Sequence, residues 1–302
     1  MSTLHAAVSP SALALARGRA AGEAAGALPV RRAAFWGMVA GELVAGWGVR
    51  WDILWHLRIG RDSFWIPPHL MTYAGVTLVV LLSFGILVWE TGRLRGAAAR
   101  RAAGCVRVLG WTGTRGFHLA AWGIAVTVLA APIDDFWHRL FGLDATIWSP
   151  PHMLGFLGGA LNAVGLLLVA TEVYPASGWG RLVALAVAGA GLYGAVRFTL
   201  EPAMLVAYRH GGVRFYTYAM LAALVLPLGL IAPARLAGSR AAPVLVMVAA
   251  VLFGIAGDQI ASAGFALLQP VPAIDAAIAQ DPTSAIATAV AIARKNGTGR
   301  PP

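Results

Sequence analysis

The 302-residue chain is 59% hydrophobic and only 12% charged, with a formal net charge of +10. Soluble domains carry about a quarter charged residues, so this composition excludes an ordinary soluble domain and points to the membrane class. The arginines lie in short loops between apolar runs, where the positive-inside rule puts them, which argues against nucleic acid as a partner.

Residues 1–30 are rich in Ala, Ser and Gly and read as a disordered cytoplasmic tail. They lack an apolar core of signal-peptide type, so the first membrane helix is expected to serve as an uncleaved signal anchor. Arg31 and Arg32 mark the boundary of a first span at about 33–54, which carries Glu42. A polar motif follows: Asp52, Trp55 and His56, then Gly60 and Asp62, then Trp65 and Pro67-Pro68-His69. Paired prolines suit the first helical turn, where a missing N–H costs nothing. The second span is expected at about 69–90, before a loop with Arg93, Arg95, Arg100, Arg101, Arg107 and Arg115.

The third span, about 117–137, leads into a second motif of the same pattern. It comprises Asp134, Trp137 and His138, then Gly142 and Asp144, then Trp148 and Pro150-Pro151-His152, with one extra residue before its second Trp. Rare residues at kept offsets indicate an internal repeat. The fourth span follows at about 151–172 and the fifth at about 181–200. Glu201-Pro202 and Tyr208-Arg209-His210 come next, then a sixth span at about 214–234 and a seventh at about 243–268. Each run approaches the roughly 20 residues that cross a bilayer. In the tail, 269–302, the apolar piece 284–294 is too short to span and reads as interfacial.

The expected fold is thus an all-α integral membrane protein of about seven transmembrane helices over 31–268. Two homologous helix hairpins, at about 33–90 and 117–172, are followed by the remaining helices at about 181–268. Arginine counts place the N-terminus in the cytoplasm and both motifs on the periplasmic or extracellular face. Abundant Ala, Gly and Arg, with Lys295 as the sole lysine, fit a bacterial inner (plasma) membrane.

Cys105 is the one cysteine, so a Cys-cluster metal site is excluded and any metal needs His and carboxylate ligands. Asp52 and His56 are four apart, as are Asp134 and His138, so a continuous helix puts each pair on one face. Packing the hairpins side by side would gather His56, His69, His138 and His152, with Asp52 and Asp134 as ligands or as partners of the imidazoles. Such a set suits Cu, Fe or Zn, one or two ions between the copies. Asp62, Asp135 and Asp144 are candidates for acid–base work. His210, Arg209 and Tyr208 are candidates to cap the cluster or bind substrate, Asp258 to reach it, and Glu42 to lie on a proton path. Gly158, Gly159 and Ala160 are expected to allow close helix approach, Asn162 to bond a neighbouring helix, and His118, on the cytoplasmic side, to stay out of the site.

A structural reading competes: Trp anchors interfaces, Pro-Pro starts helices, and Asp or His satisfies helix ends. Interface anchoring does not require four histidines in register. The chain lacks a Walker loop, a dinucleotide fingerprint, His-Glu-x-x-His and Gly-x-Ser-x-Gly. The leading expectation is a Cu- or Fe-dependent oxidoreductase acting on a lipid or small apolar substrate. A Zn hydrolase would use the same ligands. The alternative is a non-enzymatic component: a metal carrier, a transporter or an assembly subunit working with other membrane subunits.

Overall fold

The computed structural model describes residues 10–60, 64–141, 148–210, 212–272, 275 and 279, excluding the side chains of 10–25, 201–215 and 217–218. The described backbone forms eight helices and one hairpin. The helices are α1 (Pro10–Arg58), α2 (Pro67–Arg93), α3 (Ala97–Ala102), α4 (Arg115–Phe141), α5 (Pro150–Val173), α6 (Trp179–His210), α7 (Gly212–Ala237) and α8 (Ala242–Leu268). Strands β1 (Val106–Val108) and β2 (Trp111–Gly113) lie between α3 and α4.

Among the described residues, six stretches are long and apolar enough to cross a membrane. They are α2, α4, α5, Trp179–Leu200 of α6, Ala219–Ala237 of α7, and α8. The protein is therefore an all-α, multi-pass membrane protein, and these six stretches match the second to seventh spans expected above. The first expected span is helical but is not among them: Glu42 lies near its middle, and Arg50 and Asp52 lie toward its end, lowering its hydropathy. The helix also starts earlier than the composition suggested. It begins at Pro10, inside the segment read as a disordered tail, where proline suits a first turn and the Ala-rich run favours helix.

The chain divides into two compact units. The larger comprises Met1–Leu43 and Gly75–Phe253, the smaller Val44–Ala74 and Gly254–Pro302. The larger unit is built around Phe35, Met38, Val79, Leu87, Phe117, Val169 and Leu185. Two close helix crossings in it match in position. A Cβ added at Gly41 would lie 2.9 Å from the Gly75 carbonyl oxygen, and one at Gly123 would lie 2.9 Å from that of Gly158. Side chains at these points would force the helices apart. Gly158 thus does what was expected of it, whereas Gly159 faces open space. Asn162 donates to the Ala120 carbonyl at 2.9 Å, the expected bond to a neighbouring helix.

The Arg-rich segment between α2 and α4 is more ordered than a loop. Val106 pairs with Gly113 and Val108 with Trp111. Leu109 (φ 49°) and Gly110 (φ 88°) make a tight turn with both central residues left-handed, a geometry that matches strand twist. Beneath it Arg31 donates to Glu90 at 2.8 Å and to the Cys105 sulfur at 3.1 Å. Burial pushes the Cys105 thiol up to about 11, so it stays protonated at neutral pH.

In the smaller unit Trp51, Trp55, Ile66 and Ala261 form the core, and Phe265 of α8 stacks on Trp55 at 5.9 Å. These tryptophans hold the end of α1 that carries the first motif, beyond any role as interface anchors.

Candidate metal sites

The first motif is assembled within the smaller unit. The last turns of α1 carry Asp52 and His56 on one face, and the first turn of α2 supplies His69. Asp52 Oδ1 lies 3.3 Å from His56 Nε2 and 3.0 Å from His69 Nε2. The second motif is assembled in the same way within the larger unit, from the end of α4 and the start of α5. Asp134 Oδ2 lies 3.4 Å from His138 Nε2, and Oδ1 lies 3.5 Å from His152 Nε2. In each group the three ligand atoms lie within 4.8 Å of one another, and each group can hold a metal ion. Both helix starts are the predicted Pro-Pro sites, so a rigid turn sets the position of His69 and His152.

The donor geometry fits a first-row metal ion. Metal–ligand bonds of about 2.1 Å give donor–donor edges of roughly 3.0 Å in an octahedron and 3.4 Å in a tetrahedron. The Asp–His separations of 3.0–3.5 Å fall on these values, and all three donors of each group lie within 4.8 Å of one another. Asp52 Oδ1 and Asp134 Oδ1 are both buried and accept no hydrogen bond. A buried acceptor without a partner is costly unless a cation completes it.

The second nitrogens of the two α2 and α5 histidines add to this. His69 Nδ1 lies 3.2 Å from the Phe64 carbonyl oxygen. A carbonyl only accepts, so Nδ1 carries the proton. That leaves Nε2 facing a carboxylate oxygen 3.0 Å away, a contact completed either by a bound cation or by a proton on Nε2. His152 Nδ1 instead lies 2.9 Å from Ser149 Oγ, a hydroxyl able to donate or accept. The aromatic neighbours differ too: His69 packs on Tyr73 at 5.9 Å, and His152 stacks on Phe156 at 6.5 Å. The sequence reading missed these supports. Ser149 had a signal, since it occupies the helix-cap position just before Pro-Pro.

Within each unit one motif copy supplies a complete three-donor group: Asp52, His56 and His69 in the smaller, Asp134, His138 and His152 in the larger. Asp135 is not part of the second group: it points outward and pairs with Arg139 at 2.8 Å on an exposed surface. Asp258 does not join the first group, because Arg50 holds its Oδ1 at 2.6 Å. Glu42 belongs to neither group. Asp62 and Asp144 lie outside the described residues, as do the side chains of Tyr208, Arg209 and His210. His118 stays apart as expected, with Nε2 bonded to the Val106 carbonyl at 3.3 Å.

Large apolar side chains near the ligands in sequence are exposed. They include Leu57, Phe64 and Trp65 in the first motif and Phe136, Leu140 and Phe141 in the second. Trp148, four residues before His152, donates to the Thr199 carbonyl of α6 at 2.8 Å. Compared with known proteins, the chain matches no family model, no curated protein and no solved structure.

Proposed function

We propose that this protein is a membrane metalloenzyme, an oxidoreductase that holds Cu or Fe on two His2Asp sites and acts on a lipid or small apolar substrate. The observation that carries this reading is the pair of buried, unpartnered Asp oxygens, each beside imidazole nitrogens at metal-polyhedron spacing. Three protein ligands leave coordination positions open, the arrangement of catalytic rather than structural metal sites. A bound Cu or Fe would supply Lewis acidity and one-electron chemistry.

The protein's own groups have separable tasks. Asp52 and Asp134 would each complete a ligand set with two imidazoles, and the Phe64 carbonyl fixes the His69 tautomer. The exposed Leu57, Phe64, Trp65, Phe136, Leu140 and Phe141 offer an apolar approach suited to acyl chains. The matched glycine crossings support reading the hairpins as two copies of one unit, with part of α1 as a seventh crossing. An N-terminus in the cytoplasm of a bacterial inner membrane then puts both sites on the outer face.

The separations at Asp134, 3.4 and 3.5 Å, are tetrahedral in size and favour a zinc hydrolase as the second reading. Reconstitution separates the two. Metal-depleted protein in liposomes is loaded with Fe(II), Cu or Zn, and oxygen uptake and lipid hydrolysis are followed. Oxygen consumption with Fe or Cu, abolished by chelator, supports the oxidoreductase. Turnover restored by Zn alone would overturn it in favour of hydrolysis.

A further inference from the structure

We propose that the exposed face of α8 in the smaller unit, together with Arg50 of α1, docks a second copy of this chain. One side of α8 is committed: Gly257 abuts Trp47 and Gly264 abuts Trp51, with Ala261 fully buried between them. The other side presents Ile255, Gln259 and Ser262 outward. Beside them the Arg50 guanidinium and the Asp258 carboxylate meet at 2.6 Å while remaining 44% and 49% exposed.

The depth of this pair argues against a lipid-facing surface. Asp258 lies within about one helical turn of the midpoint of α8, a 27-residue span whose centre sits in hydrocarbon. Acyl chains solvate neither charge, and ionised side chains at that depth face protein or enclosed water. Ile255 alone would suit lipid; the charged pair does not.

Charge complementarity selects the occupant. A twofold interface requires a patch that complements itself. Two copies of this chain share one orientation in the membrane, so a twofold axis along the membrane normal sets α8 against α8. The pair presents a cation and an anion side by side. Each Arg50 then reaches the other copy's Asp258 as well as its own, giving four alternating charges. Polar pairs of this kind fix the register of apolar helix contacts.

Cysteine crosslinking of the full chain in native membranes tests this. The unsubstituted chain offers only the buried Cys105. On oxidation, I255C and S262C should give a disulfide-linked species of twice the chain mass. L224C, exposed on α7, should stay monomeric, as should the unsubstituted chain. D258R should lower the crosslinked fraction of I255C at least tenfold, and R50D/D258R should restore it, because the exchanged pair is again self-complementary. Monomer alone from both I255C and S262C would overturn the proposal. So would linkage to a protein of different mass, or equal crosslinking of L224C. The cysteine arm decides the question even if a charge variant fails to accumulate.

Discussion

The two His2Asp groups share their ligands and differ in nearly everything that supports them. In the first, one oxygen of Asp52 faces both histidines, at 3.3 and 3.0 Å. In the second, Asp134 uses one oxygen for each, at 3.4 and 3.5 Å. The first is backed by Trp51 and Trp55 packed on Phe265, the second by a helix that carries Pro132 two residues before its Asp. Tyr73 and a backbone carbonyl flank His69; Phe156 and a hydroxyl flank His152. If the motif served only to cap helices or anchor an interface, scaffolds this different would not need the same three donors in the same relation. What recurs is one Asp and two His able to serve as a metal-ligand set, and the packing around them varies.

The strongest way to break this comparison is to remove one Asp at a time. Asp52→Ala should weaken metal binding at the first group by more than about 100-fold and leave the second unchanged, with Asp134→Ala the mirror image. Titration with Cu(I) or Fe(II) would show this, and loss at both groups from either change would contradict their independence. At the other end of the first hairpin, Arg31→Ala strips a buried partner from Glu90. Breaking a buried pair costs about 3–5 kcal/mol, here near the lower figure because Arg93 still holds Glu90 at 2.8 Å. Thermal unfolding in detergent should fall while metal content holds.

Gly41→Val and Gly123→Val probe the matched crossings. Each should destabilise by about 1–3 kcal/mol. Gly123 should be the more sensitive, because its added Cβ meets the Asn162 backbone nitrogen at 2.5 Å, whereas that of Gly41 first meets a Val79 methyl at 2.7 Å. Equal tolerance of both substitutions would count against close packing at these points. The smallest effect belongs to Ser149→Ala. Ser149 makes no side-chain cap bond, so its loss should spare α5 and act through His152. Affinity at the second group should fall about tenfold, with no change at the first.

Much of this was legible in the residues. Apolar run length located six spans, and Pro-Pro located two helix starts. The Asp-x-x-x-His spacing, with a third ligand opening the next helix, located both triads. Other features depended on information that spacing does not carry. Composition marked 1–30 as a tail, but its alanines favour helix, and from Pro10 the segment belongs to α1. The hairpin at 106–113 was hidden because the arginines of the surrounding segment read as loop charge; its turn rests on Leu109 in a left-handed conformation that few sequences announce. The gathering of four histidines depends on packing between hairpins, which spacing along the chain does not carry. The bridging Asp of each hairpin completes a three-ligand set without the other. Asp258 looked like a site residue because it is charged and apolar in setting, and only the fold reveals Arg50 beside it.

The most direct test of the central claim is metal stoichiometry by elemental analysis, with protein purified without chelator. Four forms should be compared: the unaltered chain, H56A/H69A, H138A/H152A, and the fourfold variant. The account predicts two transition-metal ions per chain, then one, one and none. Unchanged metal content in the fourfold variant, or no metal in any form after loading with Cu, Fe or Zn, would contradict it.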